Sequence, residues 1–258
     1  MRSVTSSGRQ LRDLGRAALD WLGPAFCRSC DVPLPPGAGR ASCFCADCAP
    51  SGEAPQRSCR RCALPLPPTR AADDLLCVRC RTTAVAFDVA VSGGPYEGAL
   101  RRAILRYKFG ADLGVVPFLR DLMLAAVRAE ERSEILARSG ALVPVPAHVS
   151  RALVRGWDPV LELARALSPH LDLPVLRALS KRTRTPAQSR LRGVERRRNL
   201  RGAFVVPVPE ALPDAVVLLD DVLTTGTTAS RCAAALKASG VRAVAVLTAA
   251  RAVPAEDA

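Results

Sequence analysis

Val216-Val217-Leu218-Leu219 is an unbroken apolar run bounded by polar residues, the pattern of a parallel strand covered on both faces rather than one. Val241 to Ala250 repeats that pattern, and between the two runs Ala229, Cys232, Ala233 and Leu236 recur at helical spacing, with Gly240 placed to end the helix. Upstream, Ala141 to Val145 reads as another strand, and Phe87 to Val91 alternates like one. Ser92-Gly93-Gly94-Pro95 then turns the chain, and Tyr96 onward takes a helical rhythm. Asp158 followed by Pro159 is an N-cap with proline in the first helical position, which predicts a helix over Pro159 to Leu167. Leu11, Leu14, Ala18, Leu19 and Leu22 predict a short amphipathic helix from Arg9 to Leu22. Strands alternating with helices predict an α/β domain built on a parallel sheet.

At 258 residues the chain has room for one sizeable α/β core and a smaller module. No apolar run approaches the roughly 18–20 residues of a membrane span. The first residues, with Arg9, Arg12, Asp13 and Arg16, carry no signal-peptide hydrophobic region, so the expected location is cytoplasmic. The net charge of +13 favours anionic partners. Lys181 to Arg201 concentrates nine basic residues against one acid, Glu195, and Pro186, Gly193 and Gly202 break it up. It reads as a basic hood over a site or as a nucleic-acid contact.

Eight of the ten cysteines form four C-x2-C pairs, Cys27/Cys30, Cys45/Cys48, Cys59/Cys62 and Cys77/Cys80, and a shift of 32 residues maps the first four onto the second four. The flanks repeat too, as CRSCDVPLPP from Cys27 and CRRCALPLPP from Cys59. This is an internal duplication. Two C-x2-C turns across a hairpin make a four-thiolate zinc site, and a closed site of that kind is structural rather than catalytic. The simplest pairing assigns one Zn2+ to Cys27, Cys30, Cys45 and Cys48 and another to Cys59, Cys62, Cys77 and Cys80; the spacing also admits an interleaved pairing. Disulfides are the competing reading, set aside because cytosolic thiols stay reduced. Cys43 breaks the repeat, since Leu75 stands 32 residues later.

The apolar run at Val216 leads into Asp220-Asp221, which belong at the carboxyl edge of the sheet, and then into Thr224-Thr225-Gly226-Thr227-Thr228. Amides and hydroxyls at such a turn, opening a helix, form an anion cradle. The thirteen positions from Val216 to Thr228 resemble the phosphoribosyl pyrophosphate (PRPP) motif of type I phosphoribosyltransferases. That resemblance implies that Asp220 and Asp221 hold ribose hydroxyls, that Thr224 to Thr228 hold the 5′-phosphate, and that Mg2+ accompanies PRPP. Arg151 and Arg155, in the basic stretch after the second strand, are the candidates for the departing pyrophosphate.

The order of segments is similar to that of the ComF family, phosphoribosyltransferase-like proteins associated with bacterial competence and DNA uptake. The likeness runs from the cysteine knuckles through Tyr96-Glu97-Gly98-Ala99-Leu100, Tyr107-Lys108-Phe109-Gly110, Val143-Pro144-Val145-Pro146 and Arg155-Gly156. It continues through Gln188 and Arg198 to Phe204, and closes on the Asp-Asp-Thr-Thr-Gly-Thr loop. The implied organisation is an amphipathic helix over residues 1–25, a double zinc ribbon over 26–82 and a phosphoribosyltransferase domain over 83–258. The implied activity is PRPP binding, with phosphoribosyl transfer as the reaction of an active enzyme. The alternative is a non-catalytic adaptor that binds single-stranded DNA or DNA-processing proteins.

Overall fold

The computed structural model describes residues 26–35, 43–49, 57–67, 75–129, 134–146, 157–181, 204–207 and 212–253. The helix expected from Arg9 to Leu22, Arg151, Arg155 and almost all of the basic segment 181–201 lie outside them. The elements are α1 (Val78–Thr82), β1 (Val89–Ser92), α2 (Gly98–Gly110), a 3-10 turn (Leu113–Val115), α3 (Val116–Ala129), α4 (Glu134–Arg138) and β2 (Leu142–Pro144). They continue as α5 (Pro159–Leu171), β3 (Ser180–Lys181), β4 (Phe204–Val205), β5 (Ala215–Leu223), α6 (Thr227–Ala238) and β6 (Ala243–Arg251). Two compact units result, one from residues 1–52 with 97–118 and the other from 53–96 with 119–258.

In the larger unit, four strands form a parallel sheet in the order β1-β6-β5-β2, as the apolar runs predict. The central strands β5 and β6 are buried along nearly their whole length. Leu218, Leu219 and Leu247 are inaccessible to solvent, and each such side chain contributes about 1.5–3 kcal/mol of burial energy. Asp158 caps α5 by accepting from the Val160 and Leu161 amides at 3.0 and 3.2 Å. The helix runs on past Leu167 to Leu171 despite Pro169 in its last turn, and Asp172 ends it in the left-handed conformation with its N–H on Ser168 O.

Alternate residues of the sheet face one core. Ala90, Val143, Val216, Leu218, Val244 and Val246 meet Ala229, Cys232, Ala233 and Leu236 of α6 there. Cys59, Cys62, Leu64, Cys77 and Cys80 belong to the same cluster. The second cysteine quartet is therefore part of the sheet's own core.

In the smaller unit, the first quartet is bound to α2 and the 3-10 turn by polar contacts. Arg28 pairs with Asp112 at 3.0 Å, Arg102 Nε donates to Ser29 Oγ at 2.6 Å, and Arg106 pairs with Asp31. The Arg106 guanidinium holds the Asp31 carboxyl below its ordinary range. Phe44 and Phe118 meet edge to face, with ring centroids 4.8 Å apart.

Candidate functional site

The sequence duplication persists in three dimensions. Cys27 N–H donates to Val32 O and Arg28 N–H to Cys43 O; 32 residues on, Cys59 N–H donates to Leu64 O and Arg60 N–H to Leu75 O, all at 2.7–2.8 Å. Asp31 and Ala63, each just after the second cysteine of its knuckle, take positive φ values of 62° and 55°. That left-handed residue closes the knuckle and turns both sulfurs to one point.

The simple pairing is the one that forms: Cys27, Cys30, Cys45 and Cys48 make one group and Cys59, Cys62, Cys77 and Cys80 the other, with the four sulfurs of each group within 4.8 Å of one another. Zinc fits these donors. A tetrahedron with Zn–S of about 2.3 Å separates its sulfurs by about 3.8 Å, and Cys30 and Cys45 lie 3.6 Å apart, Cys62 and Cys77 3.7 Å. Backbone amides point at sulfur, from Ser29 to Cys27, Cys77 to Cys59 and Cys80 to Cys77, each at 3.4 Å, which favours the thiolate. Cys59 is held down at about 4, first by the Cys62 thiol beside it and then, against the effect of burial, by the backbone amides of Cys77, Cys62 and Arg61. Cys43 takes no place in the first group; its thiol donates to Gly114 O at 3.4 Å.

At the carboxyl edge of the sheet, β5 does not stop at the acids. Its ladder with β6 continues to Leu223 and Arg251, so Asp220 and Asp221 stand inside the strand and point to opposite faces. Asp221 is buried, at 5% exposure, and Asp220 is half-buried. Asp220 shares its face with Thr248 and, across β6, with Ser92. The Thr248 hydroxyl is fully buried and, among the described residues, has no hydrogen-bond partner. Such an orphan costs about 1–3 kcal/mol and marks a place where a ligand or water completes the bonding. On the inner face of α6, Cys232 is fully buried in the core, where burial pushes its thiol up and the Asp220 carboxylate adds to the effect.

The loop follows at once. Thr224, Thr225, Thr227 and Thr228 are exposed around a buried Gly226, which offers α6 no side-chain cap, and the first helical N–H, of Thr227, donates to Thr225 Oγ1 at 3.4 Å. The next amides of the first turn face outward with the positive end of the helix dipole. Thr225 and Thr227 hydroxyls are 2.9 Å apart, Ser230 Oγ accepts from Ala86 N–H at 3.0 Å, and Phe87 lies under Gly226. Gly226 has φ of 71°, and an added Cβ would come no nearer than 3.7 Å to the Phe87 ring. Gly226→Ala is thus expected to cost about 1–2 kcal/mol from the left-handed backbone rather than from crowding. Denaturant unfolding checks this, and an unchanged midpoint would show that the loop relaxes freely.

Three residues that hold this helix, strand and loop gave no functional signal in the sequence. Asp88 accepts from Lys237 Nζ at 2.7 Å and from Val244 N–H at 2.8 Å, tying α6 to β6. Thr248 sits within an apolar strand. Arg251, which ends that strand, reaches the loop carbonyls of Leu223 and Thr224. The one available hint was a charged residue directly after a fully buried run.

No protein-family model matches the chain. Competence protein F of Haemophilus influenzae is 35% identical over 170 residues, which span 65% of this chain and 74% of that protein. The crystal structure of orotate phosphoribosyltransferase from Aeropyrum pernix overlaps 58% of this chain and 76% of its own at 19% identity, with a TM-score of 0.32, too low to support an argument. Among the described residues, no helix is long and apolar enough to cross a membrane.

Proposed function

The chain belongs to the ComF family, and on that premise we propose that its sheet unit binds PRPP, or ribose 5-phosphate, together with Mg2+. The observation that carries this reading is the ring of four exposed threonines around a buried, left-handed Gly226 at the start of a 12-residue helix. Hydroxyls, outward amides and the helix dipole there suit a dianionic 5′-phosphate. Asp220, half-buried on the face it shares with Thr248, offers its carboxylate to the ribose hydroxyls, Asp221 on the opposite face joins it once the end of β5 turns around the ligand, and Arg151 and Arg155 neutralise the pyrophosphate. The carboxylates are hard oxygen donors of the kind Mg2+ takes, and the ion when bound offsets charge developing on the pyrophosphate. In transfer, the bond from ribose C1 to pyrophosphate breaks and one from C1 to an acceptor nucleophile forms. Zn2+ at both cysteine quartets is structural, because four thiolates leave no open position.

The name of the Haemophilus influenzae relative points to competence, and a role in DNA uptake is proposed here on that basis. Isothermal titration of zinc-loaded protein with PRPP and Mg2+ tests the site, with micromolar affinity expected. Failure of a folded, zinc-loaded protein to bind PRPP would overturn the reading and move the weight to single-stranded DNA and partner proteins, whose binding would fall steeply with salt.

A further inference from the structure

Arg251 is 3% exposed, and among the described residues it has no carboxylate partner. A buried guanidinium needs both hydrogen bonds and compensating charge. Its bonds go to two places. Nε donates to Cys62 O at 2.9 Å, and Nη2 lies 3.8 Å from Cys62 Sγ. Nη1 donates to Leu223 O at 3.0 Å, and to the carbonyls of Thr224 and Ala252. One side chain therefore touches the second cysteine quartet and the first residue of the threonine loop.

The charge comes from the quartet. Zinc held by four thiolates leaves a net charge of about −2, enough to compensate an adjacent guanidinium. The carbonyl contacts set the loop. In a planar trans peptide the C=O and the next N–H point in opposite directions, so holding the carbonyls of Leu223 and Thr224 inward turns the amides of Thr224 and Thr225 outward.

We propose that Arg251 is a positioning residue linking the Cys59, Cys62, Cys77 and Cys80 metal site to the Thr224 to Thr228 loop, so that loss of that metal disorganises the loop. The consequence for phosphate affinity rests on the function proposed above; the coupling itself does not. Without metal the Cys59 to Cys62 turn is no longer pinned, so the Cys62 carbonyl and sulfur that hold one side of the guanidinium shift, and Arg251 leaves the loop carbonyls it orients.

The test uses the full-length, zinc-loaded chain, with Arg251→Met and, as a control of ordinary core destabilisation, Leu163→Ala in α5. Two readouts are independent of any ligand: amide hydrogen exchange across Thr224 to Thr228, and the rate of zinc transfer to a chromogenic chelator. The two zinc equivalents are assigned with Cys30→Ser, which disables the first site. Arg251→Met is expected to speed loop exchange and release of the second-site zinc at least tenfold, leaving first-site release unchanged, whereas Leu163→Ala affects neither selectively. If Arg251→Met does not fold, Arg251→Lys, which keeps the charge but lacks the fork, is expected to shift both rates in the same direction. Loop exchange and zinc release within twofold of wild type in the folded variant would overturn the proposal. Ribose 5-phosphate titration is read separately and is expected to weaken at least tenfold in Arg251→Met. If the wild-type protein itself binds none, the phosphoribosyl reading fails while exchange and zinc release still decide the coupling.

Discussion

Cys77→Ser is expected to unfold the sheet unit, not merely to loosen a peripheral ribbon. Cys77 is buried, its sulfur accepts the Cys80 amide, and it shares a core with Val216, Leu218, Val244 and the inner face of α6. Structural zinc contributes about 10–16 kcal/mol in small metal-dependent folds, whereas a whole domain is stable by only about 5–15 kcal/mol. Losing one of four ligands at a buried site therefore removes support comparable to the unit's entire margin. Circular dichroism should show loss of the cooperative transition, alongside a fall in bound zinc. Cys45→Ser makes the contrast: its quartet is absent from the sheet's core cluster, so the sheet's transition should survive while the contacts around Arg28 and Arg106 loosen. A Cys77→Ser protein with the wild-type denaturation midpoint would show that the second quartet only decorates the core.

The other large effect is expected from Asp220→Asn combined with Asp221→Asn. These changes keep shape and remove two charges from the edge of β5. Hydrogen bonds to charged groups are worth about 1.5–3 kcal/mol each, so the loss of at least the Asp220 partner predicts binding of PRPP with Mg2+ that is weaker by at least about tenfold. The strand should persist, because its ladder with β6 is made by the backbone and runs beyond both acids. Titration calorimetry paired with thermal unfolding separates the two effects. Affinity within threefold of wild type, in a protein of unchanged stability, would remove Asp220 and Asp221 from the site.

Much of this architecture was legible one segment at a time. The 32-residue repeat marks both knuckle pairs and their eight cysteine donors, while the choice of the sequential over the interleaved grouping came from the fold. The apolar runs at Val216 and Val241 mark the two central strands, and Asp158 with Pro159 marks a helix start whose end Pro169 conceals. Periodicity, caps and metal-ligand spacing are local physics, and local physics survives in a string of letters.

The two copies of the knuckle read alike, yet only folding decides that Cys59 to Cys80 enter the sheet's core while Cys27 to Cys48 meet α2. The length of β5 past its acids depends on β6 supplying ladder partners as far as Arg251. Arg251 meets Cys62 across 189 positions of chain. The sequence by itself determined the central strands, the helix after Gly226, the duplication, the cysteine donors and the threonine loop, because each is specified by neighbours along the chain. Only the tertiary structure decided which quartet supports the loop and what holds its carbonyls, because a buried cation finds its partners only when distant segments close around it.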